Sequence, residues 1–590
     1  MENVSLIIDG IKTSVPKDYT IMQACYHVGI DIPRLCFLKD ISETASCRVC
    51  VVEVKGINSL KNSCTVKVAE GMEVYTNTPR VKKAVKSNLE LLAGNHKFEC
   101  WKCPREHNCE LLELLRRYNI DNVIGEDVNF SKKECLINIT DSMVIDSSKC
   151  ILCGRCISTC EAVNGQSVLG YNYRGFETYV GPALNTNLSL SGCIYCGKCI
   201  QACPVGAIRE KDDIEKVIDT IENKDYYTVV QVAPSVRVAL GEEFGNPIGT
   251  NVEGKMFASL KKLGFDEITD TNFAADVTII EEGNEFLERF TKYLNNKENK
   301  LPLFTSCSPG WINYIETYYP EMLGNLSTCK SPQQIQGSLI KNYYSNKIGI
   351  DKNRIKVISI MPCVAKKSEA KREEMAVDGV RDVDIVLTTR ELARLIKMKK
   401  IDFNKLDDYL PESKLAKYTG AGAIFGATGG VMEAALRYVY KKLTGSDDDL
   451  EIQAVRGTND FIKEATIKIL DQEINVAVVH GGKNIKEILD RVKSGKKQYA
   501  FIEFMGCVGG CINGGGQPIV NAKILDSTDV RSLRAAALYK IDSDSKLRSS
   551  EKNPSVIELY NDLKSMKDHH IMHKWCHTTY KKRDFYPELD

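Results

Sequence analysis

The apolar positions change period several times along the chain. Val4 to Asp9 alternates loosely like an opening strand, and Val51 to Val54 is a short β-branched run. Residues 1–78 are therefore expected to form a small α/β unit. From 79 to 137 the spacing turns helical, with Val81, Val85, Leu89 and Leu92 three or four apart. Residues 138–212 show little period, and a Gly-rich stretch from Val163 to Gly181 joins two cysteine runs there. From 213 to 590 apolar strands (Thr228 to Val232, Val357 to Ile360, Asp384 to Leu387, Val476 to Val479) alternate with amphipathic helices. That is the pattern of α/β layers over a substantial core. Residues 542–590 are charged, carry four histidines after residue 568, and read as a surface tail.

Composition narrows the class. A chain of 590 residues suggests roughly three to five domains. The net charge of +1 gives no reason to expect nucleic acid. The opening MENVSLIIDG lacks the order of a signal peptide, and the least charged long stretch, Tyr418 to Met432, is short of the ~20 apolar residues a span needs. The expectation is a cytoplasmic protein without membrane contact. Its 23 cysteines are then poor candidates for disulfides, and 17 of them precede Pro204. Dense, regularly spaced thiols in a reducing compartment read as metal ligands.

Cys36, Cys47, Cys50 and Cys64 have the spacing C-x10-C-x2-C-x13-C, which suits a [2Fe–2S] cluster or a zinc ribbon. His96, Cys100, Cys103 and Cys109 follow, His96 and Cys100 sharing a face if the turn is helical; zinc or [4Fe–4S] would fit. Cys25 and Cys135 match neither set and read as buried small hydrophobes. Cys150, Cys153, Cys156 and Cys160 form C-x2-C-x2-C-x3-C, and Cys193, Cys196, Cys199 and Cys203 repeat it before Pro204. This is the two-cluster ferredoxin signature, in which the fourth cysteine of each run serves the other cluster. One cubane would take Cys150, Cys153, Cys156 and Cys203, the other Cys193, Cys196, Cys199 and Cys160. The repeat draws the two earlier sets toward iron–sulfur, giving a wire for single electrons.

Of the six later cysteines, Cys329 and Cys576 stand apart and read as inert. Cys307, Cys363, Cys507 and Cys511 lie in TSCSPGW, MPCVAKKSE and EFMGCVGGCINGGGQP, each after an apolar strand-like segment. The thiols are expected to converge at strand ends, where α/β sites form. Glycines in the last loop let backbone approach a bulky inorganic group.

These loops resemble the three signature loops of the iron-only (FeFe) hydrogenases, and the upstream cluster order resembles the clostridial ferredoxin-linked form. The likeness extends to SPQQ (Ser331 to Gln334), LTTRELARLI and AGAIFGATGGVMEAALR. It implies reversible conversion of protons and electrons to hydrogen at an H-cluster. That group is a [4Fe–4S] cubane joined by one cysteine to a two-iron unit with carbonyl, cyanide and dithiolate ligands, installed by maturases. It implies one [2Fe–2S] and three further [4Fe–4S] clusters, ferredoxin or flavodoxin as carrier, and a monomer. The implied domains are a plant-ferredoxin-like unit (1–78), a one-His, three-Cys unit (79–137), a bacterial-ferredoxin-like unit (138–212) and the catalytic domain (213–590).

Carried over by position, Cys363, Cys507 and Cys511 hold the cubane, Cys511 bridging to the two-iron unit. Lys366, Pro234, Ser235 and Gln333 lie beside that unit, with Met361 and Met505 flanking it. Glu282, Glu285, Ser327 and Arg289 match the proton path, although the residues alone read as a solvated helix face. The first loop departs from the family pattern, with Cys307 and Ser308 where two cysteines are usual. Either Ser308 ligates as alkoxide, or Cys307 ligates and Ser308 relays the proton; ligand softness favours the thiol. Ala365 replaces a polar residue, removing a hydrogen bond worth about 0.5–1.5 kcal/mol. Gly506 replaces alanine, which is expected to open a little space. The runner-up function is a hydrogen sensor or low-activity protein with the same cofactor.

Overall fold

The computed structural model describes residues 2–120, 136–295, 301–446, 452–469, 472–565 and 570–584; Cys135 lies outside them. The chain opens with two antiparallel strands, Asn3–Ile8 and Ile11–Pro16. They are joined at Asp9 and Gly10, both at positive φ, as a two-residue hairpin of matching twist demands. Glu73–Tyr75, Val51–Val54 and Lys61–Asn62 complete a five-stranded sheet whose inner side chains pack around Ile8, Ile21 and Val52.

The helix Pro79–Gly94 starts on a Thr78 cap with proline at its first position and buries Val81, Val85 and Leu89. It ends at Asn95, before His96, and Cys100–Lys102 is a separate 3-10 turn. The shared helical face expected for His96 and Cys100 is therefore not formed.

Two sheets organise residues 227 to 505. In the first, Glu267–Asp270, Tyr227–Val232, Ile355–Met361 and Ile385–Thr388 are parallel throughout. In the second, Leu303–Phe304, Phe501–Met505 and Gln472–His480 are parallel, and Ile462–Ile469 closes the edge antiparallel. Strands buried on both faces read as continuous Val and Ile runs, which is what Val229, Val357, Ile358, Val476 and Val478 supply. The helix Thr271–Leu294, with Pro332–Leu339 and Gly430–Thr444 against it, carries 14 buried residues. Loops leave Val232, Phe304, Met361 and Met505 at the same ends of their parallel strands and so meet.

The C-terminal part is not a surface tail. Val556 and Leu559 are buried in the main core, as are Trp575 and Cys576. Thr578 N donates to the Thr328 carbonyl (2.7 Å) and Lys330 N to that of Cys576 (2.7 Å). The charged residues lie between apolar anchors, which is why the composition misled.

Residues 193–203 are locked onto the loop after Phe501–Met505. Gly197 and Gly515 meet backbone to backbone, and Lys198 and Gln201 donate to the carbonyls of Asn513 (2.5 Å) and Gly514 (2.9 Å). In Gly515→Ala the new methyl would sit 2.6 Å from the Gly197 Cα and against the Cys196 carbonyl. We expect that variant to lose about 1–3 kcal/mol of stability, read as a lower thermal midpoint.

Candidate metal centres and the central cavity

Cys36, Cys47, Cys50 and Cys64 are all buried, Cys50 Sγ and Cys64 Sγ 3.3 Å apart. The loop reaches this arrangement through left-handed backbone at Ala45 and Arg48. His96, Cys100, Cys103 and Cys109 ring a second space of about 290 Å³. There the Nδ1 of His96 is held by the Lys149 carbonyl at 2.8 Å, leaving Nε2 to ligate, and burial lowers its pKa and keeps the ring neutral.

The duplicated runs fold alike. Leu152 and Tyr195, at equivalent positions, are both left-handed at φ 56°, each with a left-handed glycine two residues on. Each donates its N–H to a thiol, Cys150 or Cys193, at 3.4 Å. Cys150, Cys153, Cys156 and Cys203 line one cavity of about 400 Å³, and Cys160, Cys193, Cys196 and Cys199 another of about 420 Å³. Among the described residues no three His, Cys, Asp or Glu side chains are grouped for a single metal ion. Thiols ringing such cavities have the spread of a polynuclear cluster.

The four strand-end loops enclose a larger cavity of about 710 Å³. Cys307, Ser308, Cys363, Cys507 and Cys511 line it, with Lys366, Pro234, Met361, Met505 and Gln333. Gly426, Gly510 and Gly514 form part of its wall. A Cβ at Gly510 would be 2.7 Å from Thr428 N, so the chain can pass there only as glycine. Ser235 lies beside this wall with its buried hydroxyl unpartnered, as is Gln333 Oε1. Lys366 is pinned by Glu369 (2.9 and 3.0 Å) and by the Cys307 carbonyl at 3.2 Å. Burial pushes Cys363, Cys507 and Cys511 up to about 12. Thiolates are costly in such a place unless metal cations offset them. Soft donors, orphaned buried polar atoms and a glycine wall together fit the H-cluster.

Gly506 does not open space: a Cβ there would meet Trp311 N at 3.2 Å, because residues 310–311 already fill the position. Ser308 Oγ accepts from Gly506 N at 3.1 Å. Cys307 is held well above its usual pKa by burial and next by the Glu282 charge. Three charged groups were missed from sequence: Glu369, Glu503 and Lys198. The Lys366-to-Glu369 spacing on a helical turn was a usable signal, as was a lone carboxylate in the apolar strand Phe501–Met505. Glu503 sits at the start of the helix Gly430–Thr444, accepting from Gly429 N and Met432 N, both at 2.7 Å.

The solvated-face reading of Glu282, Glu285 and Arg289 is overturned. Glu282 is 1% exposed and neither oxygen makes a well-formed hydrogen bond, so desolvation, helped by Glu285 and only partly opposed by Ser327 and the Ser306 backbone, pushes it up to about 8. Glu285 accepts from Ser327 Oγ (3.0 Å) and from Arg289, which also donates to the Leu326 carbonyl. A helix packed on both sides hides polar residues that its sequence would leave in water.

A family model described as "Iron only hydrogenase large subunit, C-terminal domain" matches residues 226–515. Others match as a 2Fe-2S iron-sulfur cluster binding domain (1–79), an NADH-ubiquinone oxidoreductase-G iron-sulfur binding region (86–123), a 4Fe-4S dicluster domain (149–207) and iron hydrogenase small subunit (528–583). The NADP-reducing hydrogenase subunit HndD of Solidesulfovibrio fructosivorans is 43% identical over 99% of this chain and 100% of its own. Iron hydrogenase 1 of Clostridium pasteurianum is 40% identical over 98% and 100%. The solved [FeFe]-hydrogenase HydA1 of Chlamydomonas reinhardtii superposes with a TM-score of 0.55 at 35% identity, covering 62% of this chain and 98% of its own.

Glu282 supplies a test. Its folded value lies above its ordinary 4.5, so the unfolded chain gives up this proton first and stability falls as pH rises from about 4.5 to about 8. Glu282→Gln should therefore gain on the native protein by a few kcal/mol between pH 5 and pH 8, read from thermal midpoints at each pH. Equal gaps at both pH values would mean that the carboxyl ionises normally.

Proposed function

The chain belongs to the iron-only hydrogenases, and on that premise we propose how its own residues divide the interconversion of two protons and two electrons with hydrogen. It is an enzyme of that family and carries an H-cluster, one [2Fe–2S] and three [4Fe–4S] clusters. When bound, the H-cluster supplies the metal at which protons and electrons combine. The observation that carries the division of labour is one cavity to which three strand ends deliver Cys307, Cys363, Cys507 and Cys511 beside Lys366, and a fourth delivers Pro234.

Cys363, Cys507 and Cys511 hold the cubane. Ser308 would complete that ligand set, its Oγ being held beside the Cys507 loop by the Gly506 N–H. Cys307 then faces the proton side, where Glu282 is the first charge acting on its thiol. This reverses the assignment favoured by ligand softness, and a weaker oxygen donor there should shift the cubane potential. Lys366 and the Ser235 hydroxyl serve as donors to the anionic ligands of the two-iron unit. Protons pass among Glu285, Ser327, Glu282 and Cys307, groups that can each give and take one.

Electrons enter through the N-terminal clusters and reach the cavity across Gly197 and Gly515, where Cys507 Sγ lies 3.8 Å from the Cys196 carbonyl. We propose a small ferredoxin- or flavodoxin-type carrier and, from the thiol content, a cytoplasmic setting. Among the described residues no helix is long and apolar enough to cross a membrane. A second reading makes the chain one subunit of a larger enzyme: a relative bears that name, and Tyr173, Phe176 and Leu184 are 71, 79 and 89% exposed near the clusters. Its native mass measured with co-purifying chains decides between the two.

Protein matured anaerobically should evolve hydrogen from a chemically reduced mediator, and Cys511→Ala should abolish it. No hydrogen from protein with an intact H-cluster would turn the reading toward a sensor. Cys307→Ala should keep the cubane's paramagnetic signal and lose nearly all turnover. Loss of that signal instead would make Cys307 the ligand.

A further inference from the structure

The C-terminal segment brings a histidine to the proton path. Its short antiparallel pairing with residues 328–330 fixes His577 opposite Cys329. The His577 Nδ1 lies 2.8 Å from Thr328 Oγ1, which lies 3.2 Å from Glu285 Oε2, the same oxygen that accepts from Ser327. On its other side, His577 Nε2 lies 3.1 Å from Glu281 Oε2. Glu281 also takes the Tyr560 hydroxyl, and both partners remain partly open, His577 8% and Glu281 13%. The His573 ring stacks on His577 at 4.6 Å and 5°, on the exposed side.

We propose that Glu281, His577 and Thr328 form a proton entrance that joins the path to the cavity at Glu285. A proton arriving at Nε2 from Glu281 or water lets Nδ1–H pass to the Thr328 hydroxyl, whose own proton moves to Glu285. The ring returns to neutral and the hydroxyl is regenerated, so the transfer balances. The other outward neighbour of Glu285 is Arg289, a guanidinium that stays protonated and cannot relay. An imidazole, which can take a proton on one ring nitrogen while giving one from the other, can. The charged or titratable groups facing His577 are Glu281 and Glu285 from the helix Thr271–Leu294, Tyr560 from the helix Pro554–Ser565, and His573 from its own helix; Arg289 lies behind Glu285.

The inference rests on the hydrogenase reading, and the test separates the two. In matured holoenzyme, His577→Gln and Thr328→Val should each lower hydrogen evolution several-fold and enlarge the solvent deuterium isotope effect. Added imidazole should restore part of the rate to His577→Gln. Infrared spectroscopy gives a readout apart from turnover: the carboxylic C=O band of Glu282 should exchange into D2O several-fold more slowly in both variants. Rates, isotope effect and exchange equal to the native enzyme would overturn the entrance. So would lost rate with an unchanged isotope effect and no imidazole rescue, which would mark a merely structural histidine. A native enzyme with intact clusters and no hydrogen would instead defeat the parent reading.

Discussion

Parallel strands that end at one level set what this molecule can do. Electron and proton transfer are both short-range, so the donor thiols, the buried lysine and the carboxylates are useful only if they meet within a few ångströms. Tyr227–Val232 and Ile355–Met361 in one sheet, and Leu303–Phe304 and Phe501–Met505 in the other, run the same way and release their loops toward one cavity. Register along a parallel ladder is enforced by burial on both faces, because a slip of one residue would turn every side chain to the wrong side. The accessory clusters inherit their distance from the cavity through the Gly197–Gly515 crossing, which admits no side chain.

Burial also tunes the site. The cavity thiols and Glu282 are shifted upward by the same loss of water. For the thiols this is a cost that bound iron offsets. For Glu282 it brings a carboxyl to about 8, near neutral pH, where an acid exchanges protons most readily. Glu285, three residues on, is held by Ser327, Thr328 and Arg289. One helix thus presents an unpartnered carboxyl inward and a partnered one outward.

Much of this was legible because it is local. Val51–Val54 and Tyr227–Val232 form strands where β-branched runs predicted them, and three loops bearing glycine or proline after apolar segments do converge. What escaped depends on partners far away in the chain. Nothing in the 281–289 stretch says that helices on either side will cover it. At His96 the helical period ran past Asn95, where the helix stops, and the ring is oriented by Lys149, 53 residues on. Gly506 looked like vacant space because the residues that fill it, Gly310 and Trp311, open the distant helix Pro309–Tyr318.

The C-terminal segment carries the clearest lesson. Its lysines and histidines resemble a solvated end, yet Trp575 and Cys576 anchor it in the core and its backbone pairs with the loop next to Ser327. A segment bound only for stability would need the apolar anchors and the backbone bonds. It would have no need of an imidazole hydrogen-bonded on both sides and lying between a largely buried but solvent-touching carboxylate and the proposed proton path. The family model that spans residues 528–583 treats this stretch as a unit, as the packing does. The segment joins the core of the catalytic domain to the water from which its protons come.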